Sequence, residues 1–460
     1  MINNYKTEST RQKMAQALNV ISRGKYFQKT ARENVKWKLW VLMILMPFSG
    51  MILLSIGLTV RVDLRASIKT ADTNEIPSAQ QKQYLPATTI STTETTSIKH
   101  TKRTTIGYAT SIAFCPSGKA NTANIHGVTE GPSILAHSIA RSHEHSKYDY
   151  KLYAIVHPSS LDCVKEHLND YTILERDSPV NPKDVQSKEY ARLIKFGSGC
   201  CGAREFLKLY VYTLQEDIVV HLDYDIIMLQ PMDELYDAML SQDASSHTSI
   251  QRPRNDTIPN RVDVFFTRDY IQNNPLAVDQ PLKYAFQGGF FMVRPNISLF
   301  EEMIDIIQRG NYNDKTGWEN SRIGGFYGAA QIQGFMAYIY SDLHPEHAVE
   351  VNRCIYNNLI YDEPRNHRGK CWTGEETCED CRITPLEDMK LAHFAACPDP
   401  WYCELPSASP ERCRDVLTEW FRVRQSLDKD LGYSVPHYHD DDWTLGYCRN
   451  GTYSPISRHG

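Results

Sequence analysis

Apolar and polar positions fall into three regimes along this chain. Residues 39–60, LWVLMILMPFSGMILLSIGLTV, carry no charge. At about 1.5 Å per residue, a helix of that length spans the roughly 30 Å hydrocarbon core of a bilayer. Residues 61–104 are polar and rich in Ser and Thr, a composition that cannot bury enough apolar surface to order itself. From residue 105 onward, short β-rich runs alternate with segments whose apolar residues recur at helical spacing. TIGYATSIAF, YKLYAIV, YTILE, DIVVHL, VDVFF and GGFFMVRP read as strands. GPSILAHSIARSH, SLDCVKEHL, AREFLKLYVYTL, ISLFEEMIDII and a stretch near 410–428 read as helices. Such alternation predicts an α/β layer around a mostly parallel sheet.

Charge sets the orientation of the apolar segment. Lys6, Arg11, Lys13, Arg23, Lys25, Lys29, Arg32, Lys36 and Lys38 precede it, whereas only Arg61 and Arg65 follow closely. The positive-inside bias puts the N-terminus in the cytosol and the long C-terminal part across the membrane. All 12 cysteines, from Cys115 to Cys448, lie on that far side, as do sequons at Asn255, Asn296 and Asn450. Both features fit an oxidising lumen. The expected organisation is a cytosolic tail 1–38, a transmembrane signal-anchor 39–60, a stem 61–104, an α/β domain 105–405 and a C-terminal extension 406–460. A net charge of -5 gives no support for nucleic-acid binding. Cys371, Cys378, Cys381, Cys397, Cys403 and Cys413 crowd the C-terminal part, and in a lumen they predict disulfides rather than a zinc site.

The candidate chemistry sits in HLDYDIIML. Residues two apart on an extended chain point the same way, so Asp223 and Asp225 converge just past the strand DIVVHL. That edge is where open α/β sheets bind ligands. Two unpaired carboxylates repel unless a cation neutralises them, and a hard divalent ion suits oxygen ligands. Two further D-x-D pairs, Asp428/Asp430 and Asp440/Asp442, read as solvated surface. His221, on the same face as the pair, reads as a packed strand residue.

HLDYDIIMLQPMDELY resembles the D-x-D segment of the glycogenin-like glycosyltransferases of family 8. GYATSIAF, GPSILAHSIARSH, FLKLYVYTL, FQGGFFMVRP, QIQGFMAYIY and KLAHFAACPDPW are similar, in order and spacing, to further family segments. The resemblance implies a Rossmann-like GT-A nucleotide-sugar domain. It implies Mn²⁺, or Mg²⁺, held by Asp223, Asp225 and His393 on the diphosphate of a UDP-sugar. It further implies a nucleoside pocket lined by Tyr108, Ala109, Thr110 and Phe114, with Tyr224 beside it, and a lysine, Lys208, on the sugar-nucleotide. Gln287, Gly288 and Gly289 match the family's sugar-contacting turn, and Gln333 with Gly334 its Asp-Gln-Gly; Gln287 and Gln333 are the catalytic candidates.

This chain departs from the family at Ile332 and Ile112, where Asp is usual, and at Asp399, where Lys is usual. Arg204, Arg294 and Lys390 are candidates for the missing cation. The implied function is a Golgi single-pass glycosyltransferase that moves a sugar from a UDP-sugar, with retention, to a glycan or glycoprotein acceptor. The rival is a catalytically impaired sugar-nucleotide-binding scaffold for another transferase.

Overall fold

The computed structural model describes residues 103–116, 122–196, 201–253, 257–273, 284–360, 366–367, 370–371, 373, 377–395, 397–405 and 411–456. The expected tail, the apolar segment 39–60 and nearly all of the expected stem lie outside them. Among the described residues no helix is long and apolar enough to cross a membrane.

The central sheet contains β1 (Thr105–Ile112), β2 (Asp149–Val156), β3 (Thr172–Glu175), β4 (Val219–Leu222), β6 (Val264–Asn273), β7 (Tyr284–Val293) and β8 (Ala348–Glu350). Their spatial order is β8-β6-β7-β4-β1-β2-β3. β1 runs parallel to β2 on one side, Tyr108 opposite Leu152, and parallel to β4 on the other, Tyr108 opposite Val220. The chain thus leaves β1 in one direction and later returns on its other flank. Such a reversal opens a crevice at the carboxyl ends of the two strands. β7 alone is antiparallel, to both β4 and β6, and the other neighbours in this sheet are parallel, so the sheet is mostly parallel, as expected, and mixed at β7. Both sheet faces are covered, and a strand buried on both faces shows one continuous apolar run whichever way it points.

The helix expected at 131–143 begins earlier, as α1 (Thr122–His143), with Pro132 inside it. Gly131-Pro132 reads as a helix start because proline lacks the amide hydrogen that an interior position needs. Here tertiary packing outweighs that preference. A Cβ on Gly131 would stand 2.6 Å from the Tyr224 carbonyl oxygen, so the bare glycine lets the D-x-D turn press on α1. The Tyr171 hydroxyl donates to the Pro132 carbonyl at 2.7 Å. Further helices are α2 (Pro158–Val164), α3 (Lys188–Phe196), α4 (Asp233–Leu240), α5 (Ile297–Arg309), α6 (Ile332–Tyr338), the short α7 (Arg353–Tyr356) and α8 (Glu411–Asp430). The expected helix at 203–214 is a 3-10 helix, Gly202–Thr213.

A small second sheet pairs β5 (Ile226–Met228) with β9 (Leu391–His393), antiparallel. Over it lies a core of Ile134, Ile227, Met389, Phe394, Trp401, Trp420 and Phe421, which joins residues from both sides of the expected boundary at 405. Within this core Arg424 of α8 pairs with Asp428 and approaches Glu130 of α1 at 3.5 Å. Asp428 is 3% exposed, which corrects its reading as solvated surface. An i,i+4 arginine on the inner face of α8 draws the carboxylate inward, a pairing that the charge run alone hides. Asp440 is exposed as expected, whereas Asp442 accepts from the backbone of Thr444 at 2.9 Å and of Gly446 at 2.9 Å.

The cysteines form disulfides: Cys115–Cys163, Cys354–Cys381, Cys371–Cys378, Cys397–Cys413 and Cys403–Cys448. The C-x-x-C cysteines 378 and 381 take different partners, and no described cysteine is free.

Candidate functional site

β4 ends at Leu222, and the chain turns through Asp223 and Tyr224 before entering β5. Backbone bonds hold the turn on both sides. The Asp223 amide donates to the Gly289 carbonyl at 2.9 Å, and the Phe394 amide to the Asp225 carbonyl at 3.0 Å. Because β9 pairs with β5 so that His393 faces Ile226, the late histidine arrives beside the aspartates. Ligand atoms of Asp223, Asp225 and His393 all lie within 4.8 Å of one another. His393 Nε2 is 3.5 Å from an Asp225 carboxylate oxygen.

Lys208 adds the cation. In a 3-10 helix residues three apart eclipse, and Lys208 therefore stands over Glu205, 3.8 Å away. Its Nζ lies 2.8 Å from Asp223 and donates to the Gly288 carbonyl at 3.1 Å. Burial pulls the Lys208 pKa down, but Asp223 and Glu205 outweigh it and raise it well above the ordinary lysine range. Burial raises the Glu205 pKa, and the Lys208 charge only partly opposes this. For Asp225, burial also acts upward, yet the adjacent His393 holds the pKa below the usual carboxylate value. His393 mirrors it: burial pulls down, Asp225 pulls up, and the net shift is upward. Asp399, in the place of the family's lysine, is pushed well up by burial and by the charge of Asp225.

The structure brings Lys208, Asp223, Asp225, Gly288, Gly289, Gln333 and His393 together. Gly288 packs on the side chains of Ile332 and Gln333 and lies near Lys208 Nζ. Gln333 Oε1 is buried without a hydrogen-bond partner. Ile332, 1% exposed, belongs to the core.

The other candidates lie as follows. The Tyr108 hydroxyl meets His143 Nε2 at 2.9 Å and the Tyr236 hydroxyl inside the core. Strand alternation turns it to the face covered by α1 and α4, where those partners satisfy its polar end. Tyr224 turns its ring onto Gly131 of α1. Gln287 Oε1 accepts from the Gly289 amide at 2.6 Å and from Asn357 at 3.3 Å, so it is committed within the protein. Ala109 packs in the core, and Thr110 is buried with its hydroxyl unpartnered at the end of β1. Phe114 stands two residues beyond β1, half-buried.

His221 is the packed residue expected. It stacks on Phe291, and burial pushes its pKa down to about 3. Of the candidate replacement cations, Arg294 pairs with Asp263 at 3.2 Å and Lys390 faces Glu234 at 3.7 Å. Arg204 donates to the Ala113 carbonyl, just past β1, at 3.0 Å. Sequence reasoning missed Glu205 and Asn357. The i,i+3 spacing to Lys208 was a usable signal for Glu205, and Asn357 offered none.

Two carboxylates from one turn and an imidazole from β9 converge here, and such a set could hold a divalent cation. Three donor atoms within 4.8 Å fit one such ion after small side-chain rotations.

No family model and no curated protein matches this chain. Among solved structures, a complex of the galactosyltransferase LgtC with donor and acceptor sugar analogues is similar at 12% identity, over 68% of this chain and 95% of that one, with a TM-score of 0.36. The apo glycosyltransferase GlyE of Streptococcus pneumoniae is similar at 12% identity, over 72% and 63%, with a TM-score of 0.36. Apo mouse xyloside xylosyltransferase 1 is similar at 12% identity, over 64% and 98%, with a TM-score of 0.35.

Proposed function

We propose that this chain is a metal-dependent glycosyltransferase that moves a sugar from a UDP-sugar to a glycan or glycoprotein acceptor. The observation that carries this reading is the convergence of Asp223, Asp225 and His393 at the carboxyl edge of β4, beside the β1/β4 reversal. The family 8 resemblance, which matches those residues, supports it. The apolar segment 39–60, the sequons and the disulfides support a Golgi type II setting with this domain in the lumen. Asn296 and Asn450 are both exposed, as glycosylation needs.

A bound Mn²⁺ or Mg²⁺ would supply Lewis-acid stabilisation of the charge on a departing diphosphate. Asp223, Asp225 and His393 would hold that ion. Lys208 fixes the Asp223 carboxylate in place and keeps positive potential at the site.

The test is UDP release from a panel of UDP-sugars by the purified 460-residue chain with Mn²⁺. At least one donor should turn over, and Asp225→Asn should abolish that turnover. Tight UDP binding without turnover of any donor would favour the non-catalytic scaffold instead.

A further inference from the structure

We propose that Asn357 and Gln287 are positioning residues that hold His393 as its Nδ1–H tautomer and present a bare Nε2 to the two aspartates. The inference rests on the metal-site reading above. It follows from a hydrogen-bond chain whose polarity is anchored at a backbone amide.

The Gly289 amide can only donate, and it lies 2.6 Å from one end of the Gln287 side chain, so that end is Oε1. Asn357 approaches the same oxygen at 3.3 Å and the Thr267 hydroxyl at 3.0 Å with one end of its amide. An atom facing a carbonyl oxygen must donate, which makes it Nδ2. The opposite end of Asn357 is then Oδ1, an acceptor only, and it lies 3.1 Å from His393 Nδ1. The proton therefore resides on Nδ1. In the neutral imidazole the lone pair falls on Nε2, the nitrogen that faces Asp225 at 3.5 Å.

The chain is sealed from water: Gln287 is 5%, Asn357 1%, Thr267 0% and His393 2% exposed. Burial turns these groups toward one another, so the assignment of each donor fixes the next. The backbone is held as firmly. Asn358, the next residue, donates to the Leu391 carbonyl at 3.0 Å and accepts from the His393 amide at 2.9 Å. Asn357 thus rides on the strand it serves. An imidazole held in this way offers its metal-binding nitrogen without first changing tautomer, and such outer partners of a histidine ligand typically govern 10–100-fold in metal affinity.

The experiment uses the 460-residue chain with ¹⁵N-labelled histidine, freed of metal by chelation and held at alkaline pH. Long-range ¹H–¹⁵N spectra report the tautomer, with His393 assigned by its loss in His393→Gln. Mn²⁺ alone is then titrated by electron paramagnetic resonance. The expected result is an Nδ1–H wild type and a tautomer mixture in Asn357→Leu with Mn²⁺ affinity about 10–100-fold weaker. A wild-type Nε2–H tautomer, or a folded Asn357→Leu chain with unchanged tautomer and affinity, would overturn the proposal. Should Asn357→Leu fail to fold, Gln287→Leu removes the oxygen that orients Asn357 and is judged by the same two readouts. If the wild type binds no Mn²⁺, the metal-site reading fails, while the tautomer spectrum still decides the hydrogen-bond chain.

Discussion

Gly289 and His393 leave no room between them: a Cβ on Gly289 would overlap the imidazole Cε1 and come within 3.0 Å of Gln287 Oε1. The absence of a side chain at this one place on β7 is what lets the β9 histidine approach the strand so closely. Gly289→Ala should therefore displace His393, weaken Mn²⁺ binding at least tenfold and cost about 1–3 kcal/mol of stability, the usual range for an overpacked core. Metal titration and thermal melting of the same sample measure both effects.

The pair Asp225 and His393 fixes how pH acts. With metal chelated away, the depressed Asp225 contributes stability that is lost as pH falls through its native pKa, below the ordinary carboxylate value. The raised His393 contributes stability that is complete below its ordinary value of about 6.5 and is lost as pH rises through its native pKa. The Tm of the chelated chain should peak between these limits. Mn²⁺ affinity should behave differently: a proton and the ion compete for Nε2, so affinity falls steadily as pH drops through the raised pKa of His393. Titrations at successive pH values would reveal any opposite slope.

Lys208 offsets part of the negative charge that Asp223, Asp225 and Glu205 bring to the site. Lys208→Met removes a buried partner of Asp223 and Glu205 and should cost about 3–5 kcal/mol, the scale for leaving a buried charge unpaired. Its effects on the two ligands should diverge. Loss of a nearby cation strengthens the attraction for Mn²⁺, whereas UDP, an anion, should bind at least tenfold more weakly. Parallel loss of both affinities would assign Lys208 a purely structural role.

The disulfide Cys354–Cys381 restrains the loop that delivers Asn357 and β9, with a sequence separation of 27. Loop-closure entropy for that span is about 3.5 kcal/mol. The double substitution Cys354→Ser with Cys381→Ser should lower stability by that order and weaken Mn²⁺ binding with it. Chemical denaturation, read beside the metal titration, checks the two together.

Arg424 of α8 joins Glu130 of α1 and pairs within its own helix with Asp428, all three nearly inaccessible to water. Arg424→Leu removes the cation from two buried carboxylates, which keep only neutral donors in Tyr453, Ile456 and Tyr447, and should destabilise by about 3–5 kcal/mol. Restoring the melting temperature in the triple variant with Glu130→Gln and Asp428→Asn would confirm that the loss is electrostatic.

Most of the frame was legible because it depends on short-range regularities. β-branched runs such as DIVVHL announce strands wherever they fall, and D-x-D at a strand end carries its geometry with it. What stayed hidden depends on contacts between distant residues. The helix expected from Gly131 starts earlier because Tyr171 and Tyr224 hold α1 around Pro132. Tyr108 faces Tyr236 and His143, and no local pattern reports which side of β1 will be covered. Asp428 seemed solvated because its neighbours are charged, yet Arg424 one turn earlier draws it inward. Asn357, in a loop without motif, acquires its place only through Gln287 and His393, which are 70 and 36 positions away.

The central claim is that Asp223, Asp225 and His393 form one cation site that also recruits a nucleoside diphosphate. Titrating the purified chain with Mn²⁺, with and without UDP, tests it most directly. The account predicts saturable binding at one site, tightened by UDP and lost in both Asp225→Asn and His393→Ala. Binding that is absent in the wild type, or unchanged in those variants, would contradict it.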